Sequence, residues 1–473
     1  MKKVKKINMI FIILCFLICI IPSVGLLIFH AGNTKKEEHV TFPVVTENGK
    51  INIHYLSELG VYFENSFALR SSYIDVDAKI QSDIFKVSNN DSVIAGKHGW
   101  LYYASSLDDY LGQNVLSDRG VYNIENNVSL LEEYIESRGV TFLFTISPNK
   151  NSLYGENMPS YYQKKASSIN NLAKLEKRLA KSNVKYCSLY DVFKNQGETL
   201  YLKRDSHWNN KGAMLAYHTL LTNIEFGHEP YETTKAIRTK TNIGDLNEMM
   251  FPESAKDKTD WNYDYQYKKN YSFTSKSDDV EDEWLATENK TAKKSLLMFR
   301  DSFGNTLIPL MSNAFGKAYY SKDATYNIEE LLDKYSPEYV IAEKVERNIS
   351  EYAKTPAVMS APERIVDDSS IKTKESNTTI AYGESETDAD YYEISGKIDH
   401  SVIADTSDVY VKITDGKEKH VYEAFTLTDD KSNDLYCMYM KKTNVKSPSL
   451  KIEIILKDGN QYTSVATKTL ELK

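Results

Sequence analysis

Cysteine is scarce: four residues in a chain of 473 are too few to build a disulfide scaffold. An excess of basic charge is missing as well. With 58 Lys+Arg against 66 Asp+Glu the formal net charge is -8, whereas a nucleic-acid binder presents a basic footprint. Beyond residue 30 no apolar run approaches the roughly 20 residues of a helical membrane crossing. No internal repeat and no sustained heptad pattern is present. What remains is ordinary for a globular protein. A content of 41% hydrophobic and 26% charged residues excludes wholesale disorder. At roughly 100–200 residues per domain the length allows two to four domains.

The one long apolar run stands at the start. Lys2, Lys3, Lys5 and Lys6 precede an uncharged stretch from Met9 to Phe29, long enough for one crossing. Ser23-Val24-Gly25 is a weak cleavage site, but the run continues through Leu26, Leu27, Ile28 and Phe29, which favours an uncleaved anchor over a signal peptide. The lysines then stay in the cytoplasm and the remaining chain lies outside a cell membrane, crossed once. Cys15 and Cys19 fall inside this anchor. Cys187 and Cys437 fall in different expected domains, so two lone buried thiols are favoured over a bridge.

Residues 31–50 are mostly polar and read as a tether. Glu64 to Arg70 reads as helix, and Ser92 to Tyr103 as two short strands about a turn at Lys97-His98-Gly99. From there helices and strands alternate. Val128–Arg138, Ile169–Lys181, Lys211–Leu221, Asn305–Phe315 and Ile328–Lys334 read as helices. Val140–Ile146, Val184–Leu189, Ser295–Phe299 and Tyr339–Glu343 read as strands. This alternation predicts an α/β domain over 51–350, its parallel sheet covered by helices on both faces. Asn242 to Asn289, rich in Tyr, Asp and Lys, reads as a long surface insertion. Residues 351–385 read as a linker, and 386–473, with strands and turns but no helices, as a small β-sandwich.

Two segments carry chemistry. Arg204-Asp205-Ser206-His207-Trp208 stands immediately before a helix whose cap is Asn209 or Asn210. Phe299-Arg300-Asp301-Ser302-Phe303-Gly304 stands where an apolar strand gives way to a helix. Ser302 is therefore at the carboxyl end of a sheet strand, where open α/β sheets place ligands, and near helix N–H groups that stabilise an oxyanion. A serine hydroxyl is a poor nucleophile until a base takes its proton, and that base needs an orienting carboxylate. His207 can be the base and Asp205 the orienter. The bland readings are a helix N-cap for Ser302 and, for Asp205-Ser206-His207, a surface turn or one half of a chance metal site.

As an ordered pair these segments resemble the permuted SGNH-hydrolase-like domain of alginate O-acetyltransferases, and within that group the DHHW family of membrane-anchored bacterial proteins. There too the Asp-His pair precedes the nucleophilic Ser. Softer matches are Gly96-Lys97-His98-Gly99-Trp100-Leu101-Tyr102, Glu64 to Arg70, Ser147-Pro148-Asn149-Lys150 and Gly244-Asp245-Leu246. Ser206 replaces the first His of the name-giving motif, and no Gly-x-Asn-Asp block is visible. The resemblance covers about residues 50–350. It implies an SGNH-hydrolase-like fold and O-acetyl transfer to hydroxyls of a cell-surface or secreted polysaccharide, with a membrane acyltransferase of several spans supplying the acetyl group. Ser302, His207 and Asp205 are the catalytic candidates. Asn149, Lys150 and Arg300 are the candidates for oxyanion or substrate contact.

A carbohydrate acetyl esterase shares the same acyl-enzyme, and a non-catalytic glycan-binding or assembly protein can retain the same fold. No cofactor is expected. His207 and His218 stand eleven apart, with no Cys or acid at ligand spacing to support zinc. His98 reads as a hairpin-turn residue. The Tyr-rich stretch Trp261 to Tyr271 reads as packing rather than a sugar platform, because Tyr is frequent throughout (34 residues).

Overall fold

The apolar segments in the middle of the chain form strands whose alternate side chains reach two separate cores, so both faces of their sheet are covered. The computed structural model describes residues 41–471 apart from 48, 67–68, 229–234 and 323–326, together with scattered residues between 8 and 24. The chain divides into two compact units. The smaller gathers Met1–Ala104, Lys203–Ser206 and Lys240–Trp261, and the larger Ser105–Leu202, His207–Thr239 and Asn262–Lys473.

In the larger unit a seven-stranded sheet is built from β1 (Thr141–Ser147), β2 (Tyr186–Ser188), β3 (Ser272–Phe273), β4 (Trp284–Glu288), β5 (Ser295–Phe299), β6 (Lys317–Ser321) and β7 (Tyr339–Val345), in the order β2-β1-β7-β5-β6-β4-β3. The run from β2 to β6 is parallel throughout. β4 pairs antiparallel with β6, and β3 antiparallel with β4. The expected parallel sheet is thus extended by an antiparallel edge drawn from the supposed insertion.

Helix α1 (Asp118–Ser137) covers one face, with Val121, Ile124, Val128, Leu131 and Ile135 against Phe142, Phe144, Leu297 and Val340. Helices α2 (Asn210–Asn223) and α3 (Ile308–Ala314) cover the other, where Leu143, Leu296, Met298 and Ile341 point. α1 begins ten residues earlier than its apolar periodicity announces. Ser117 caps it by accepting from the Gly120 N–H at 3.0 Å, and its first half buries Arg119, Asn123, Asn126 and Asn127. These polar side chains face the C-terminal strands. Asn127 donates to the carbonyls of Tyr352 (2.7 Å) and Thr426 (2.9 Å) and accepts from the Thr426 N–H (3.0 Å).

The C-terminal region is β-rich: β8 (Ile371–Thr373), β9 (Ala381–Glu384), β10 (Tyr391–Lys397), β11 (Asp408–Asp415), β12 (Glu418–Leu427), β13 (Leu435–Lys441), β14 (Ser449–Asp458) and β15 (Gln461–Glu471). They run β8-β15-β14-β11-β12-β13-β10-β9 in one ladder. β12 pairs with β11 over Glu418–Ala424 and with β13 over Phe425–Leu427, so the sheet turns its corner along this strand. Ile394, Val409, Val411, Met438 and Ile454 fill the shared core between the two halves. Cys187 and Cys437 are free and buried.

In the smaller unit the hairpin Val93–Ala95/Leu101–Tyr103 forms as expected, pairing Ile94 with Tyr102. The single helix expected over Glu64–Arg70 is two helices, Tyr55–Ser66 and Arg70–Ile80, with Leu69 at φ 63 before the second. A helix at Asp245–Met250, inside the supposed insertion, buries Leu246 and Met250 against Ala78, Val93 and Leu101. Among the described residues no helix is long and apolar enough to cross a membrane. Most of the expected anchor, 9–29, lies outside the described residues.

Candidate active site

β5 is the central strand between β6 and β7, and the chain leaves its carboxyl end directly into the turn that holds Ser302. The Arg300 N–H still donates to the Ser321 carbonyl of β6 (2.9 Å), continuing the ladder. Asp301 then ends it. One carboxylate oxygen accepts from the Phe303 N–H at 2.9 Å and the other from the Val345 N–H at 2.7 Å. Asp301, not Ser302, is therefore the cap of the 3-10 turn Ser302–Thr306, and also a tie to the end of β7.

His207 Nε2 lies 2.8 Å from Ser302 Oγ. His207 is held from both sides. The Leu202 N–H donates to its carbonyl at 3.2 Å, and its ring packs on Phe303 with centroids 4.9 Å apart. The next residue, Trp208, is fully buried, stands edge-on to Phe303 at 5.1 Å, and donates from Nε1 to Thr306 Oγ1 at 2.6 Å. Asn209 caps α2 by accepting from the Gly212 N–H at 2.9 Å. Gly212 is required there, because a Cβ would stand 2.5 Å from the Leu200 carbonyl oxygen. The histidine and the serine thus approach each other from two elements whose ends share Trp208, Phe303 and Thr306.

Asp205 belongs to the smaller unit and there accepts from the Asp245 N–H at 3.2 Å. The Ser206 N–H donates to Asp245 Oδ1 at 2.7 Å, and its hydroxyl donates to Oδ2. The Asn247 N–H closes on the Arg204 carbonyl at 3.1 Å. Gly244 permits this clasp: its φ is +87, and a Cβ would lie 2.4 Å from the Arg204 carbonyl oxygen. Arg204 itself forms an ion pair with Asp260, and the Leu101 N–H of the hairpin donates to the Lys203 carbonyl at 2.9 Å. The Gly244-Asp245-Leu246 and Gly-Trp-Leu segments therefore have one local task, to shape the loop that carries Asp205.

The remaining candidates are buried. Asn149 follows β1, donates its N–H to Glu346 (2.8 Å) and its amide to Asp109 (3.0 Å), and leaves its Oδ1 without a partner. Lys150 beside it is 4% exposed. Arg300 is 1% exposed, and its guanidinium holds the carbonyls of Val280 and Asp282 (3.0 Å each) and the side chain of Asn305. Arg300 thus braces the 280–282 segment. Gly304 sits against it, where a Cβ would meet the Arg300 Cβ at 2.6 Å. His98 occupies the hairpin turn at φ 55, and His218 on α2 stands edge-on to Tyr217 and tilted against His228.

Three acids beside the site went unnoticed in the sequence. Glu343 on β7 is fully buried; Ser147 donates to it at 2.6 Å and the Asp301 N–H at 3.1 Å. Burial and the neighbouring Asp301 charge push its carboxyl up to about 8. Burial likewise pushes Glu346 up to about 7, against the hydrogen bonds from Asn149 and Ser152, and raises Asp109. Arg347 adds a cation 5.7 Å from the Phe303 ring centroid. For Glu343 the sequence signal is a charged pair, Glu343-Lys344, within the strand Ile341-Ala342-Glu343-Lys344-Val345.

Residues 93–293 match the family model of the SGNH hydrolase-like domain of acetyltransferase AlgX. No curated protein matches the chain in sequence. Among solved structures, Bacillus cereus PatB1 is similar at 15% identity and a TM-score of 0.43, over 55% of this chain and 98% of that one. A DHHW family protein from Eubacterium siraeum is similar at 16% identity and a TM-score of 0.41, over 56% of this chain and 99% of that one. Pseudomonas aeruginosa AlgX is similar at 11% identity and a TM-score of 0.37, over 80% of this chain and 90% of that one. The resemblance carried by the Asp-Ser-His-Trp segment is thus met by a family match over residues 93–293, which ends just before Arg300-Asp301-Ser302-Phe303-Gly304: this part of the chain is similar to an SGNH hydrolase-like domain.

Proposed function

We propose that this protein is an O-acetyltransferase that acetylates hydroxyls of a cell-surface or secreted polysaccharide through an acetyl-serine intermediate. The observation that carries the reading is the 2.8 Å approach of His207 Nε2 to Ser302 Oγ at the carboxyl end of the central strand. The match to the SGNH hydrolase-like domain of acetyltransferase AlgX supports acetyl transfer as the reaction class.

In this reading Ser302 Oγ attacks the carbonyl carbon of an acetyl ester while its proton passes to His207 Nε2. The tetrahedral oxyanion collapses, the leaving oxygen takes the proton from His207, and the acetyl group stays on Ser302. A sugar hydroxyl then gives its proton to His207 and attacks the acetyl-serine, which returns Ser302 and yields the sugar ester. Asp205, two residues before His207, orients the imidazole. The Ser302 N–H stabilises the oxyanion; its neighbour, the Phe303 N–H, is already given to Asp301. The 9–29 run anchors the chain, and a membrane acyltransferase supplies the acetyl group.

Ser302→Ala tests the assignment. In cells the variant should accumulate normally while polysaccharide acetylation is lost. Incubated with an activated acetyl ester, the native chain should gain one acetyl mass on Ser302. A mark elsewhere, or equal labelling of the variant, sinks the nucleophile. Acetylated oligosaccharide among the products distinguishes transfer from hydrolysis.

A further inference from the structure

We infer that Glu343 is a positioning residue for the nucleophile turn: its buried carboxyl fixes the Asp301 peptide, and through it the Ser302 hydroxyl, against the ends of the neighbouring strands. The inference rests on the reading of Ser302 as nucleophile. Glu343 joins three adjacent strands at the edge where the site lies. Ser147 at the end of β1 donates to Oε1 (2.6 Å), and the Asp301 N–H, just beyond β5, donates to Oε2 (3.1 Å). Asp301 answers across the same gap by accepting from the Val345 N–H of β7 at 2.7 Å. The last peptide before Ser302 is therefore gripped from both ends, by one acceptor from β7 and one donor from β7.

An apolar residue could fill the volume of a fully buried side chain, but it would leave the Asp301 N–H and the Ser147 hydroxyl without acceptors, at about 1–3 kcal/mol each. The grip needs an acceptor, not a charge. Asp301 and Arg300 face Glu343 from the end of β5, Lys344 adjoins it on β7, and Tyr201 contributes from the segment before His207. Lys344 pairs with Glu351 (2.8 Å) and Arg300 holds the 280–282 carbonyls; the Lys344 charge lowers the Glu343 carboxyl by less than burial and Asp301 raise it. Held as the neutral acid, Glu343 accepts from the Asp301 N–H through its carbonyl oxygen without setting a buried carboxylate against that of Asp301. Once it ionises the two carboxylates repel, and the turn loosens.

The test uses the full chain, with a sulfonyl fluoride as the label for Ser302 and p-nitrophenyl acetate as the ester. Glu343→Ala should slow labelling by about tenfold to hundredfold, lowering kcat with little change in KM, the scale expected when a reacting group is misplaced by about 1 Å. Glu343→Gln keeps an uncharged acceptor and should recover labelling to within about threefold. The native rate should decline as pH rises through about 8, whereas Glu343→Gln should show no such limb. Amide exchange at Asp301–Phe303 should quicken in Glu343→Ala and not in Glu343→Gln. Unchanged labelling and unchanged exchange in Glu343→Ala overturn the inference. If that variant does not fold, an alkaline limb retained by Glu343→Gln overturns it instead. Absence of Ser302 labelling in the native chain fells the nucleophile reading alone, since exchange still reports whether Glu343 holds the turn.

Discussion

Single residues at this site act mainly through what they leave no room for. Glu346 is buried with its carboxyl pushed up to about 7, while in the unfolded chain it titrates near 4.5. Between those values the folded state keeps a proton that the unfolded state has released, so stability falls as pH rises from about 4.5 to about 7. Glu346→Gln removes that dependence. Chemical denaturation from pH 4 to 8 should show the variant gaining on the native chain across this window, by at most on the order of 3 kcal/mol, with the two alike at pH 4. A parallel pair of curves would refute the shift. Such acids were invisible in the sequence because titration follows burial, and burial of Glu343 and Glu346 is decided by strand order. Ser302 and His207 were legible for the opposite reason: each stands where an element visibly begins, and hydrophobic periodicity locates such junctions.

At the level of elements, the sequence spoke clearly where one strand or helix is apolar along its own length and poorly where neighbours supply the partners. Ser295–Phe299 was legible to the residue. The first half of α1 was not, because Asn123, Asn126 and Asn127 are buried against backbone that lies about 300 positions ahead. β4 was hidden within the polar stretch around it, although Leu285, Ala286 and Thr287 are buried. Gly244 is the residue on which the Asp205 loop depends most sharply. Gly244→Ala should cost about 2–3 kcal/mol or more, combining a backbone conformation that side chains avoid with a clash against Arg204. A melting temperature equal to the native one would contradict the clasp. Slower acetylation of Ser302 at matched folded protein is the expected companion result.

For the molecule as a whole, the C-terminal sheet is packed as part of the larger unit. Residues that read as linker bury Tyr352, Ala353, Val358 and Met359 in the same core as α1, together with Tyr391, Phe425 and Tyr439 of the following strands. Asn127→Leu should therefore destabilise the protein by about 3 kcal/mol or more, since three backbone groups at Tyr352 and Thr426 lose their partner. Denaturant unfolding with one shared transition for both sheets is the accompanying expectation; a separate, unshifted C-terminal transition would argue against the interface. The same amide has a consequence for synthesis. Asn127 and Thr426 are 299 residues apart. At roughly 5–20 residues per second, α1 leaves the ribosome on the order of 15–60 seconds before its partner strand. Until β12 arrives, a polar face shaped for a sheet is exposed on a helix whose other face gains its core only as β1, β5 and β7 follow in turn. The growing chain must be kept from aggregating or being cut through that interval, and its last ninety residues decide when the first half of the protein is finished.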